Sequence, residues 1–314
     1  MNDKGPLISI VVPTYNEEQD VQRMLEAVLA QRYSRKEIIV VDDSTDRTPE
    51  ILKQYESRGV RVFRGGHEGG RNGARNLGVR HASGEILVTL NADACPDPDF
   101  LERIVPHYQR GVDFLVVSNR VANAEKLFPR FIDAERRKRV NLANDLWTEG
   151  FSCRREAALA VGLFTTDSPI PQCSGEDVVF ARELSKRFRK GADASIVVPH
   201  YVPSTLSDFW ANRWSRGWGS PALKYFYLKK SLGQIVFVVL LKTILRTLMV
   251  GLVIPHLVFA LLISKNSSRG IKDFLPFVVA SGVELLAVTS GEWLGIVAVW
   301  QKRNWKSSRK GSKE

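Results

Sequence analysis

The stretch Gly84-Glu85-Ile86-Leu87-Val88-Thr89-Leu90-Asn91-Ala92-Asp93 constrains the fold more than any other part of this 314-residue chain. It is an apolar, β-branched run that stops at Asn91-x-Asp93, and Cys95-Pro96-Asp97-Pro98 bars the strand from continuing. Such a run predicts a buried strand of a parallel sheet. Open α/β sheets bind their ligands outside the carboxyl ends of these strands. Residues 91 and 93 face the same side, so an amide and a carboxylate can share one ligand. A hard cation such as Mg²⁺ or Mn²⁺, itself carrying phosphate oxygens, suits one such carboxylate. The same residues also fit an ordinary polar turn before a Pro-initiated helix.

The flanking sequence repeats the pattern. Leu7–Val12 is a strand ended by Pro13, and Asn16-Glu17-Glu18 opens a helix with Val21, Met24, Leu25, Val28 and Leu29 at helical spacing. Glu37–Val41 and Val60–Phe63 are further strands, separated by a helix that starts at Thr48-Pro49-Glu50. A glycine-rich loop, 65–70, leads into the helix Arg71–His81, and Asp99–Arg110 and Phe114–Val117 continue the alternation. Gly150–Glu156 reads as a short strand entering a helix, and Gly175-Glu176-Asp177 begins a helix through Phe188. The class is therefore α/β with a doubly wound parallel sheet. A dinucleotide-binding dehydrogenase would need Gly-x-Gly-x-x-Gly after the first strand; Pro13-Thr14-Tyr15-Asn16-Glu17 stands there instead.

A net charge of +11 predicts an anionic partner. Three cysteines, Cys95, Cys153 and Cys173, fit a reducing compartment better than a disulfide framework, and no Cys/His spacing suits a metal. The polar start of the chain places the first domain in the cytosol. The run Arg136-Arg137-Lys138-Arg139 suits a solvated helix face or a patch for lipid headgroups or an acceptor phosphate.

Taken together, Val12-Pro13-Thr14-Tyr15-Asn16-Glu17-Glu18, Val41 to Thr48, Gly73-Ala74-Arg75-Asn76-Leu77-Gly78, Asn91-Ala92-Asp93 and Gly175-Glu176-Asp177 resemble glycosyltransferase family 2, inverting enzymes of the GT-A fold that use nucleotide sugars. The resemblance spans roughly the first two hundred residues. It implies that Pro13, Tyr15 and Glu17 line the nucleoside pocket and that Asp43, or less so Asp42, reads the base edge. It also implies that Asn91 and Asp93 contact ribose and the metal, and that Asp177, beside Glu176, is the catalytic base. Arg71 and Arg75 would stabilise the departing diphosphate. Asn91 departs from the family's Asp-x-Asp, and an amide brings no charge to a cation. Metal binding then leans on Asp93 and the diphosphate, with His200 either an additional ligand or a hydrogen-bonded surface residue at a strand end, and the second carboxylate expected from Asp177.

Trp210-x-x-Arg213-Trp214 is similar to the Gln-x-x-Arg-Trp of processive synthases, with Trp in the Gln position. Arg213, Trp214 and Arg216 become candidates for the acceptor or the diphosphate, and equally for an interfacial aromatic belt. From Thr247 to Ser264 no charged residue occurs, and a helix of that length spans about 27 Å. A second apolar stretch, Phe274–Trp300, carries Glu284 and Glu292, which need partners in a membrane. A hairpin turning near Ser268 would set Glu292 level with Lys242 and Arg246. Basic residues at Lys224–Lys230 and after Trp300 place both ends of the hairpin in the cytosol. A soluble helical hairpin that mediates oligomerisation is the other reading.

The expected organisation is a GT-A catalytic domain at 1–205 and an interfacial Arg/Trp-rich linker at 206–233. A two-helix membrane region at 234–300 and a basic cytosolic tail at 301–314 complete it. The expected function is transfer of one sugar from a UDP- or GDP-linked donor, with Mg²⁺ or Mn²⁺, to a lipid-linked hydroxyl at the cell membrane. A polyprenyl-phosphate sugar synthase and a non-catalytic nucleotide-sugar binding protein are the alternatives. No nucleic acid is expected as partner, and a homo-oligomer is left open.

Overall fold

The computed structural model describes residues 5–65, 69–139, 142, 145–166, 168–170 and 175–305. Cys173, residues 66–68 of the glycine loop and the end of the basic tail lie outside them. The elements are β1 (Ile8–Thr14), α1 (Val21–Leu29), β2 (Lys36–Asp42), α2 (Thr48–Glu56), β3 (Val60–Arg64), α3 (Gly70–His81), β4 (Ile86–Thr89), α4 (Phe100–Gln109) and β5 (Phe114–Val121). Then come α5 (Leu127–Arg139), β6 (Ser152–Arg154), α6 (Arg155–Ala160), α7 (Glu176–Ser185), β7 (Lys190–His200) and α8 (Leu206–Ala222), the last running into a π-helical turn at Leu223–Tyr227. The chain closes with α9 (Leu232–Gly251), α10 (Ile254–Ser264), a 3-10 turn at Gly270–Asp273 and α11 (Phe274–Lys302). Two compact units result, and α5, which precedes residue 205, belongs to the second.

In the first unit seven strands form one sheet in the order β3-β2-β1-β4-β6-β5-β7. Side chains alternate along each strand between two cores. Ile38 and Val40 face α1, α2 and α4, while Ile39 and Val41 join the aromatic cluster of Phe114, Phe151, Phe164 and Phe180 under α3, α6 and α7. Burial of both faces is why these runs are apolar almost without interruption. One expectation is corrected: the sheet is not wholly parallel, because β6 runs antiparallel to both β4 and β5. Apolar patterning reveals that a strand exists, but its direction depends on the connection that delivers it.

The second unit is helical. α8 and α11 meet along small residues: a Cβ at Gly291 would lie 2.3 Å from the Trp214 carbonyl oxygen, and one at Gly295 equally close to that of Trp218. Only glycine permits that backbone approach. Arg130 and Asp273, both buried, form a two-pronged ion pair at 2.6 and 2.9 Å. Glu292 accepts from Lys242 at 3.2 Å and also pairs with Arg246, the partnership that helical spacing predicts. The expected span 247–264 is corrected, for α9 ends at Gly251 and Val253 takes φ +58°. Pro255 has no N–H for the Gly251 carbonyl and its ring crowds that position. Among the described residues, the helices long and apolar enough to cross a membrane are Leu232–Gly251 and Gly270–Lys302. Phe237, Leu241, Leu245 and Leu248 leave the outer side of α9 exposed and apolar.

Candidate active site

The loops that follow β1 and β2 are stitched together. Asn16 occupies the left-handed region, at φ +56°, which its short polar side chain tolerates. Its Oδ1 accepts the backbone N–H of Thr45 at 2.9 Å, and the Ser44 hydroxyl accepts the Asn16 N–H at 2.7 Å. Thr48 Oγ1 likewise accepts the Glu17 N–H at 2.9 Å. Asp42 is fully engaged in this scaffold, accepting from Thr14 (2.8 Å), the Ser44 hydroxyl (2.6 Å) and Arg64 (3.0 Å). Asp43 donates its backbone N–H to the Thr14 carbonyl at 3.1 Å. Gly65 approaches it so closely that a Cβ would lie 2.6 Å from a carboxylate oxygen. Pro13 is half-buried at the end of β1, while Tyr15 stands 61% exposed.

The polar cluster forms at the carboxyl end of β4. Asn91 donates from Nδ2 to Glu149 at 2.7 Å and accepts at Oδ1 from Arg75 at 3.2 Å. Arg75 is 1% exposed, with its guanidinium over the rings of Trp147 and Phe164. It therefore reaches the cluster through Asn91. Two asparagines of α3 fix the neighbouring segment: Asn76 exchanges hydrogen bonds with the Phe164 backbone at 2.7 and 2.9 Å, and Asn72 donates to the Thr165 carbonyl at 2.6 Å.

Asp93 is under electrostatic stress. Its Oδ1 is buried without a hydrogen-bond partner. Burial first, then the negative charges of Glu149, Glu17 and Asp20, push its carboxyl far above the usual range, against the pull of Arg71. Glu17 is raised to about 7 by burial and Asp20, again opposed by Arg71. The structure thus brings Asp93, Glu17 and Arg71 together, with Asn91 joined to them through Glu149.

Glu149 and Asp20 were not predicted, and Glu149 stands where the second carboxylate was expected from Asp177. The reason is the direction of β6. An antiparallel strand begins at the sheet end where its parallel neighbours finish, and Thr89 N–H indeed donates to the Phe151 carbonyl at 2.9 Å. The residues entering β6, Thr148-Glu149-Gly150, consequently arrive beside Asn91. Glu149, the acidic residue just ahead of the predicted Gly150–Glu156 segment, was the available signal.

Asp177 lies half-buried in the first turn of α7, its Oδ1 accepting the Val178 N–H at 2.7 Å. The side chain of Glu176 is outside the described residues. His200 is buried at the end of β7, where its backbone bridges Ala94. Among the described residues no three His, Cys, Asp or Glu side chains come together as a metal cluster, so His200 does not complete a three-ligand set with Asp93 and Glu149. A lone-pair-bearing Asp93 oxygen without partner, beside a second carboxylate, nonetheless fits Mg²⁺ or Mn²⁺, which take few protein carboxylates and fill their shell with phosphate and water oxygens. Arg213, Trp214 and Arg216 lie on α8 in the second unit, where Trp214 stacks on Trp218.

Residues 9–164 match the family described as Glycosyl transferase family 2. Glycosyltransferase AglE of Haloferax volcanii is 31% identical over 197 residues, which cover 59% of this chain and 63% of that protein. Beta-monoglucosyldiacylglycerol synthase of Nostoc sp. is 27% identical over 71% of this chain and 51% of its own. The chain thus spans less than two thirds of these relatives' lengths. Mannosyltransferase PcManGT from Pyrobaculum calidifontis, in complex with GDP-Man and Mn²⁺, shares the fold with a TM-score of 0.55 at 20% identity, over 96% of this chain and 76% of that one.

Proposed function

From a chain that carries a glycosyl transferase family 2 domain over residues 9–164, we infer a membrane-anchored, inverting glycosyltransferase. It moves one sugar from a UDP- or GDP-linked donor to a hydroxyl of a lipid-linked acceptor. The observation that carries the reading is the buried, unpartnered Asp93 oxygen beside Glu149 at the end of β4. A carboxylate in such a position would be stabilised by a divalent cation that also carries diphosphate oxygens.

Each residue's part follows from its setting. The exposed Tyr15 ring stacks on the base, and Asp43 accepts from the base edge. Arg71 meets the diphosphate, having already shown its pull on both Asp93 and Glu17. Asp93 and Glu149 would hold Mg²⁺ or Mn²⁺, whose positive charge would offset the charge developing on the departing diphosphate. Asn91 aims Glu149 through its amide, and Arg75 positions Asn91. Asp177 takes the proton of the attacking hydroxyl as the new glycosidic bond forms at the anomeric carbon and the bond to phosphate breaks. Attack from the face opposite the diphosphate inverts the anomeric centre. α9 and α11 anchor the protein, and the basic flanks hold the catalytic domain on the cytosolic side.

The test is a panel of nucleotide sugars with Mg²⁺ or Mn²⁺, read as nucleoside diphosphate release, together with direct Mn²⁺ titration followed by electron paramagnetic resonance. Asp177→Asn should lower kcat at least about 100-fold, the scale of general-base catalysis. Glu149→Gln keeps the Asn91 hydrogen bond and should weaken Mn²⁺ binding about tenfold or more. Near-normal turnover in Asp177→Asn would favour an acceptor that is already an anion. Full metal binding by Asp93→Asn would overturn the site.

A further inference from the structure

The second unit has a partly open cavity of about 520 Å³ whose polar wall is Arg136, Arg213, Arg216 and Arg246, opposed by Glu135 and Glu284. Four guanidiniums thus face two carboxylates. Arg213 decides what the cavity lacks. It is 4% exposed, yet its Nε and Nη2 have no hydrogen-bond partner; the nearest carboxylates, Glu284 at 3.2 Å and Glu135 at 3.9 Å, are at ion-pair distance only. Arg246 also answers to Glu292 and to Thr289, which turns part of its donor capacity away from the cavity. Buried guanidinium N–H groups left without acceptors are strongly unfavourable, and a phosphate matches them best because it offers several anionic oxygens to a planar fork.

The rest of the wall is apolar, with Met249, Phe259 and Leu285 beside the arginines. Met249 belongs to α9, whose outer side exposes Leu241, Leu245 and Leu248. A phosphate held here can therefore carry a hydrocarbon chain along apolar helices, which free phosphate does not exploit. We propose that this cavity is a binding site for the phosphate headgroup of a membrane lipid, held by Arg213, Arg216 and Arg136. The site belongs to the helical unit and does not rest on the transfer reaction inferred above.

The full chain would be placed in nanodiscs of phosphatidylcholine alone, of phosphatidylcholine with phosphatidic acid, and of phosphatidylcholine with a polyprenyl phosphate; inorganic phosphate would be titrated separately. Lipid retention by native mass spectrometry and thermal unfolding are the readouts. Either phosphate-bearing lipid should be retained and should raise Tm over phosphatidylcholine alone; which one is held more tightly identifies the chain. Arg216→Gln, an exposed position that should not disturb folding, is expected to weaken retention about tenfold, and Arg213→Lys, which keeps charge but loses the fork, by a similar factor. Stabilisation by inorganic phosphate equal to that by the lipids would overturn the lipid assignment. Retention unchanged in folded Arg216→Gln and Arg213→Lys proteins would overturn the site itself.

Discussion

Asp273 and Asp93 are both withdrawn from water, and their surroundings could hardly differ more. In the helical unit Asp273 meets Arg130 in a two-pronged pair, and another buried acid, Glu292, has Lys242 and Arg246. In the sheet unit Asp93 faces Glu149, Glu17 and Asp20, with Arg71 as opposing charge and one carboxylate oxygen left without a partner. Balanced charge maintains a packed interior, and removing either member leaves a bare ion behind. Unbalanced charge at a strand end stores a demand for a ligand. Removing a charge should accordingly harm the first arrangement and relieve the second.

That contrast can be broken by experiment. The largest effect is expected for Asp273→Asn, which strands Arg130 and should lower stability by about 3–5 kcal/mol in chemical unfolding; replacing both partners with apolar residues should recover much of the loss. Glu292→Gln leaves two cations sharing an amide and should lose about 1.5–3 kcal/mol by the same measurement. The sign then reverses. Without metal, Asp93→Asn removes the stressed carboxylate and should raise Tm by about 2–4 °C, the shift given by ~1 kcal/mol in a domain of this size. A lower Tm in that variant would mean the acidic cluster is structural.

The last expectation is a pH dependence. Folding raises the Glu17 pKa from 4.5 to about 7, so the folded state holds that proton more tightly than the unfolded chain. The metal-free protein should lose stability as pH rises from about 4.5 to about 7 and level off above. Glu17→Gln should remove that part of the slope. Parallel Tm curves for the two proteins across this interval would contradict the assignment.

The alternating strands and helices of the first unit were legible because burial on both sheet faces leaves an apolar run for each strand. Asn91 and Asp93 were legible for the same reason, as polar residues at an abrupt strand end. Glu149 was hidden because its place depends on the direction of a three-residue strand, which no periodicity encodes. Pro255 was in plain view, yet an uncharged window suggested one helix through it; hydropathy sums over residues and does not register a missing N–H. The pairing of Glu292 with Lys242 and Arg246 survived that misplaced boundary, since it depends on spacing within each helix and on the turn between them.

The hydrogen bond from Asn91 to Glu149 joins residues 58 apart in the chain. Such a closure must wait until the intervening polypeptide has been ordered and β6 has docked, because its loop-entropy penalty precedes any reward. Cation affinity would then be among the last properties to emerge during refolding. A stopped-flow experiment with Mn²⁺ present would see secondary structure recover first and metal capture afterwards, making the ion a clock for the completion of the sheet.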